Sequence, residues 1–154
     1  MNHSSPYAGY IRYRVGGILE EKGSLLLVKL RSPITNEDIW IPPGGGVDFG
    51  ESAIEALVRE FKEETGLSVS VRELLHINEI ISQDFHVIEH FFKVQRVGGK
   101  LALGLDPEHP VDDQLLSDIG FFSQEEIEKM NIRPGFIKEA YWYNPKMVSF
   151  NSQR

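Results

Sequence analysis

Residues 44–67 read Gly44-Gly45-Gly46-Val47-Asp48-Phe49-Gly50-Glu51-Ser52-Ala53-Ile54-Glu55-Ala56-Leu57-Val58-Arg59-Glu60-Phe61-Lys62-Glu63-Glu64-Thr65-Gly66-Leu67, and the architecture of the chain hangs on them. From Glu51 onward, Ala53, Ile54, Ala56, Leu57, Val58 and Phe61 recur at roughly helical spacing. Gly50 precedes this segment, and Gly66 with Leu67 closes it as a glycine stop. On such a helix Glu60, Glu63 and Glu64 project from one face, three or four residues apart. Their mutual repulsion weakens an isolated helix by a few tenths of a kcal/mol per pair. A hard divalent cation, which takes carboxylate oxygens and bridges to phosphates, turns that repulsion into attraction. Taken alone, clustered glutamates read equally well as a solvated acidic face. The run Pro42-Pro43-Gly44-Gly45-Gly46 just upstream changes the balance, because side-chain-free backbone can approach a ligand closely.

Gly45, Glu51 and Arg59 to Leu67 together spell G-x5-E-x7-R-E-U-x-E-E-x-G-U, with U a bulky apolar residue. By average residue usage a chance match is rarer than about one in a million. The pattern resembles the signature box of the Nudix hydrolases, MutT-like enzymes that cleave nucleoside diphosphates linked to another moiety. The resemblance implies an α/β fold, a Nudix-type α/β/α sandwich with a mixed sheet between helices. It implies Mg²⁺, with Mn²⁺ as the alternative, held by Glu60, Glu64 and the Gly44 backbone carbonyl, with Glu63 sharing the metal or orienting the attacking water. It implies that Arg59 pairs with a carboxylate, Glu51, and holds loop and helix rigid. The family often supplies a further carboxylate from the region after the box, so Asp112, Asp113 and Asp118 join Glu63 as candidates for the general base. The substrate so implied is a nucleotide such as a nucleoside triphosphate, a nucleotide sugar or ADP-ribose. Neither the proline nor the tyrosine that marks ADP-ribose or dinucleoside polyphosphate preference stands between Ile81 and Phe85, and the longer coenzyme A motif is unmatched.

Composition bounds the alternatives. The chain has 154 residues, 41% hydrophobic, enough for one domain with an ordinary core. Residues 1–154 are expected to form that single domain, with residues 1–9 as a flexible N-terminal segment. A formal charge of −7 offers no basic footprint for nucleic acid, so a polyanionic substrate must be held by metal or by a few local cations. Absence of cysteine excludes disulfides, thiolate zinc sites and a cysteine nucleophile. It also removes the residue on which the family's isoprenoid diphosphate isomerase relies. A non-catalytic nucleotide-binding or sensor domain is the remaining alternative, against which stands a complete set of box acids. The start of the chain lacks the apolar core of a signal peptide, and no stretch reaches the ~20 apolar residues of a membrane span. A cytoplasmic protein without membrane or nucleic-acid partners is expected, with homodimerisation open.

Elsewhere the pattern predicts strands over Tyr10–Glu20, Ser24–Arg31, Ile39–Ile41, Val69–Glu79 and His86–Val97. A turn at Gly98-Gly99-Lys100 leads into Leu101–Leu103, Leu105–Leu116 reads as an acidic loop, and Ile119–Phe122 as the last strand. Ser123 and Glu126 form a capping box for one helix, and a final helix is expected over Phe136–Tyr143. His86 and His90 lie about 13 Å apart on a strand and cannot share an ion. Lys29 and Arg31 alternate onto one strand face and are candidate phosphate contacts. Phe85 is a candidate base-stacking residue.

Overall fold

The computed structural model describes residues 8–32, 35–104, 116–143 and 148–154. Strand β1 (Ile11–Glu21) turns into β2 (Ser24–Arg31) through Lys22 and Gly23, both at positive φ, as a tight two-residue hairpin requires. Then follow β3 (Asp38–Ile41), β4 (Gly44–Gly46), helix α1 (Ala53–Thr65), β5 (Leu67–Ser82), β6 (Phe85–Gly99), β7 (Leu116–Ser123), α2 (Gln124–Glu128), a 3-10 turn at Gly135–Ile137, α3 (Ala140–Tyr143) and β8 (Ser149–Gln153). The strands form one mixed eight-stranded sheet in the order β3-β2-β1-β6-β5-β8, with β4 added to β1 and β7 to β2. Pairs β1–β6 and β5–β8 are parallel.

Two cores flank the sheet. Val15, Leu19 and Leu26 face α1 and pack on Ala56, Leu57 and Phe61. Ile18, Leu25 and Leu27 face the other way, against Ile127 of α2, Phe136, Ile137 and Tyr141 of α3. The period-2 alternation along β1 and β2 thus sends neighbouring side chains into opposite layers, which gives the expected α/β/α sandwich. Adjacent glycines admit one ring to each layer. A Cβ on Gly16 would meet Phe91 at 2.6 Å, and one on Gly17 would meet Phe61 at 2.7 Å.

Several expectations need correction. The three glycines are not a loop but the strand β4, paired antiparallel with Arg14, Val15 and Gly16. Strands β5 and β6 run well past the predicted ends, because the hairpin ladder carries Leu67 and Ser68 opposite Gly99 and Gly98. Gly98 and Gly99 lie within β6 rather than in a turn. Strand β7 begins at Leu116 and is not the last, since β8 follows. The single final helix is two short pieces, the 3-10 turn and α3. Among the described residues, no helix is long and apolar enough to cross a membrane.

Candidate active site

Helix α1 is fixed at both ends. Ser52 and Glu55 form a reciprocal capping box, and Gly66 ends the helix in the left-handed conformation (φ 75°). Beyond it, the Gly104 N–H donates to the Glu64 carbonyl at 2.7 Å, which docks Gly104 on the last turn.

Strand β4 lies beside this helix. Hydrogen bonds from the Gly17 N–H to the Pro43 carbonyl and from the Val47 N–H to the Tyr13 carbonyl fix the ladder phase with β1. In that phase Gly44 and Gly46 occupy non-hydrogen-bonded positions and turn their backbone groups away from β1. Both meet the helix. The Gly44 N–H donates to Glu64 Oε2 at 3.1 Å, and the Gly46 carbonyl accepts from Arg59 Nη2 at 3.2 Å. Between them, a Cβ on Gly45 would run into the carboxylate of Glu60, so only glycine leaves room for that acid.

Arg59 organises the acids. Its Nε and Nη2 grip Glu51 in a bidentate pair at 2.8 and 2.9 Å. Its Nη1 donates to Glu60 at 2.9 Å and to Glu63 at 3.3 Å. The guanidinium beside Glu51 holds that carboxyl down to about 2, despite partial burial and with help from the Asp48 N–H. Glu51 in turn leads the groups that hold Arg59 well above the usual guanidinium range. Glu60 behaves oppositely. Burial pushes its carboxyl up to about 7 against the pull of Arg59, and the like charge of Glu63 adds to the rise. A buried acid that resists ionising beside like charges favours a cation at that spot.

The donor set is all oxygen and suits a hard divalent ion. A strand residue's N–H and C=O leave by the same edge, so the Gly44 carbonyl departs on the Glu64 side. Yet among the described residues no three acids or histidines already converge as a metal site. Glu60 and Glu63 are held by Arg59, and Glu64 by Gly44. The residues therefore fit a metal by chemistry and placement, and gathering them requires the Arg59 Nη1 contacts to give way.

The other predicted residues lie elsewhere. Asp112 and Asp113 fall outside the described residues. Asp118, on β7, stands in register with Lys29 of β2, and its carboxylate accepts from the Ile119 N–H at 2.8 Å. Arg31 bonds the Asn36 carbonyl at 2.9 Å and pairs with Asp38 at 3.7 Å, within the β2–β3 connection. Phe85 opens β6 and is half-buried. His86 and His90 have separate partners, Glu79 and the Tyr13 hydroxyl. Two features escaped the sequence reading. The Ser52–Glu55 box was legible as S-x-x-E just before the apolar run. Arg14 was visible only as an alternating strand residue.

A family model described as NUDIX domain matches residues 11–143. This chain belongs to the Nudix family. It is 40% identical over 94 residues to an ADP-ribose pyrophosphatase of Methanocaldococcus jannaschii, covering 60% of this chain and 55% of that protein. Over 61 residues it is 46% identical to an RNA pyrophosphohydrolase of Ruthia magnifica, covering 39% of this chain and 31% of that one. The match thus spans about half or less of these relatives. The crystal structure of a MutT protein from Methanosarcina mazei superposes with a TM-score of 0.71 at 24% identity, over 89% of this chain and 96% of that one. That likeness shows that this Nudix chain shares the fold.

Proposed function

We propose that this Nudix chain hydrolyses a phosphoanhydride bond in a nucleoside diphosphate derivative, with Mg²⁺ held by Glu60, Glu63, Glu64 and the Gly44 carbonyl. The observation that carries the reading is Arg59, one guanidinium that clamps Glu51 and positions two further acids against a strand without side chains. When bound, the ion neutralises phosphate charge and makes water a better nucleophile. Glu51 and Arg59 keep the acids in register with β4. Glu63, once released from Nη1, accepts the proton of the attacking water as its oxygen bonds phosphorus and the bond to the leaving phosphate breaks. Asp118, Asp112 and Asp113 are the alternative bases. The outer edge of Gly44, once Glu64 turns from its N–H to the ion, lets the diphosphate approach the backbone.

The relatives' names support a pyrophosphate bond as the target and disagree on what is attached to it. ADP-ribose heads the test panel, followed by nucleoside triphosphates and nucleotide sugars. Product release with Mg²⁺, lost on adding chelator, is the expected result. Glu64→Gln keeps an acceptor for the Gly44 N–H while removing one charge from a repelling set. It should lower turnover at least about a hundredfold without lowering the melting temperature. Nucleotide binding without turnover in the wild type would make this a sensor domain instead.

A further inference from the structure

Strand β4 separates two charged clusters. On its α1 side stand Glu60, Glu63 and Arg59; on its other side stand arginines of β1. Arg14 lies opposite Gly46 in the β1–β4 ladder and opposite Glu89 in the β1–β6 ladder. Glu89 Oε2 pairs with Arg14 through Nε at 3.4 Å. The other oxygen, Glu89 Oε1, accepts from Asn78 Nδ2 at 3.1 Å. Asn78 is only 3% exposed, and its Oδ1 is buried with no hydrogen-bond partner among the described residues. A buried acceptor left unpaired costs free energy, which is retained where it fixes the orientation of something else. Here it fixes Glu89, and through Glu89 the plane of Arg14.

The Arg14 side chain is 23% exposed, so a ligand can reach it. Its charge is also felt across the strand, where it helps hold Glu60 down against burial. Arg12 lies on the same side, 3.5 Å from where a Gly46 Cβ would stand, so the space over Gly46 is lined by cation rather than filled by side chain. A chain with a net charge of −7 therefore places a braced arginine one glycine strand away from its acid cluster.

We propose that Arg14, aimed by Glu89 and Asn78, binds the substrate phosphate next to the one attacked, on the face of β4 opposite α1. Arg14 is then a substrate-binding residue, and Glu89 and Asn78 are positioning residues. This rests on the diphosphate hydrolase reading. The forked guanidinium matches phosphate oxygens in a way a lysine cannot.

The test uses α,β-methylene-ADP, whose diphosphate linkage resists hydrolysis, titrated calorimetrically with Mg²⁺ into the folded full chain. Arg14→Gln should weaken its binding by at least about tenfold, and raise KM on the turned-over nucleotide by a similar factor. Its affinity for Mg²⁺ alone should stay near wild type. Arg14→Lys should recover part of the loss, and Glu89→Gln should show a smaller loss of the same kind. Wild-type affinity for the analogue in folded Arg14→Gln overturns the assignment of Arg14 alone. A wild type that neither binds the analogue nor turns over any nucleotide overturns the hydrolase reading, and this inference with it. Should Arg14→Gln fail to fold, Glu89→Gln carries the test, and unchanged KM there overturns the positioning chain.

Discussion

The two faces of the central sheet use the same strands and are built differently. Toward α1 the buried set is Val15, Leu19, Leu26, Ala56, Leu57, Phe61, Leu67, Val69 and Val94, all apolar. Its buried hydroxyl, Thr65, donates to the Phe61 carbonyl at 2.6 Å and accepts from the Leu67 N–H at 3.1 Å. On the opposite face, rings of Phe91, Phe136 and Tyr141 surround polar groups. His76 stacks on Phe136 at 4.3 Å and shares a hydrogen bond with Ser149, while its Nε2 has no partner among the described residues. Asn78 Oδ1 and Trp142 Nε1 are also buried without partners among the described residues. One face is a dry platform that fixes the acids of α1. The other gives up stability in unmatched polar groups, as recognition surfaces do.

The largest effect that tests this contrast is core truncation. Phe61 is fully buried between α1 and Gly17, so Phe61→Ala should cost about 3–5 kcal/mol in chemical denaturation. Phe136→Ala, on the looser face, should cost less. An equal or greater loss at Phe136 breaks the comparison.

Next comes the guanidinium that ties the platform to β4. Arg59→Ala should lower stability by about 2 kcal/mol near neutral pH and lower turnover as well. The sign with pH follows from Glu51, whose carboxyl lies below its ordinary value of 4.5. Its pairing stabilises the fold fully above pH 4.5 and is lost as pH falls toward about 2. The gap between wild type and Arg59→Ala in denaturation should therefore shrink over that window. A gap that widens there would remove Glu51 as the main partner.

The smallest effect concerns Ser70, whose hydroxyl is buried and unpaired among the described residues. Ser70→Ala removes a group that gains nothing, and stability should change by no more than about 0.5 kcal/mol. A loss near 2 kcal/mol would mean that the hydroxyl is satisfied after all.

Legibility followed the range of the forces involved. The apolar stripe of α1, its Gly66 stop, the Ser123–Glu126 capping box and the Glu51–Arg59 pairing that the family pattern implied all lie within a few turns of chain. All but the last could be read directly from the residues. Strand β4 could not, because three glycines have the weakest strand preference and the ladder to β1 imposes the conformation. Strand β8, Ser149–Gln153, carries no alternating apolar pattern and exists because β5 offers it a backbone edge. Arg14 looked like any half-exposed strand residue, since Glu89 and Asn78 reach it only through the parallel ladder to β6.

That ladder also sets the order in which the molecule becomes complete. Helix α1 and its cap need only neighbours in sequence, whereas Tyr13 and His90, joined by a hydrogen bond between β1 and β6, stand 77 residues apart. Pairing of such high contact order is the slow part of folding. Strand β4 has no side chains to anchor it and takes its place from β1 and from the Arg59 and Glu64 side chains of α1. A chain with α1 formed and its central strands still apart thus carries every acid of the box and none of the geometry that would let them act together.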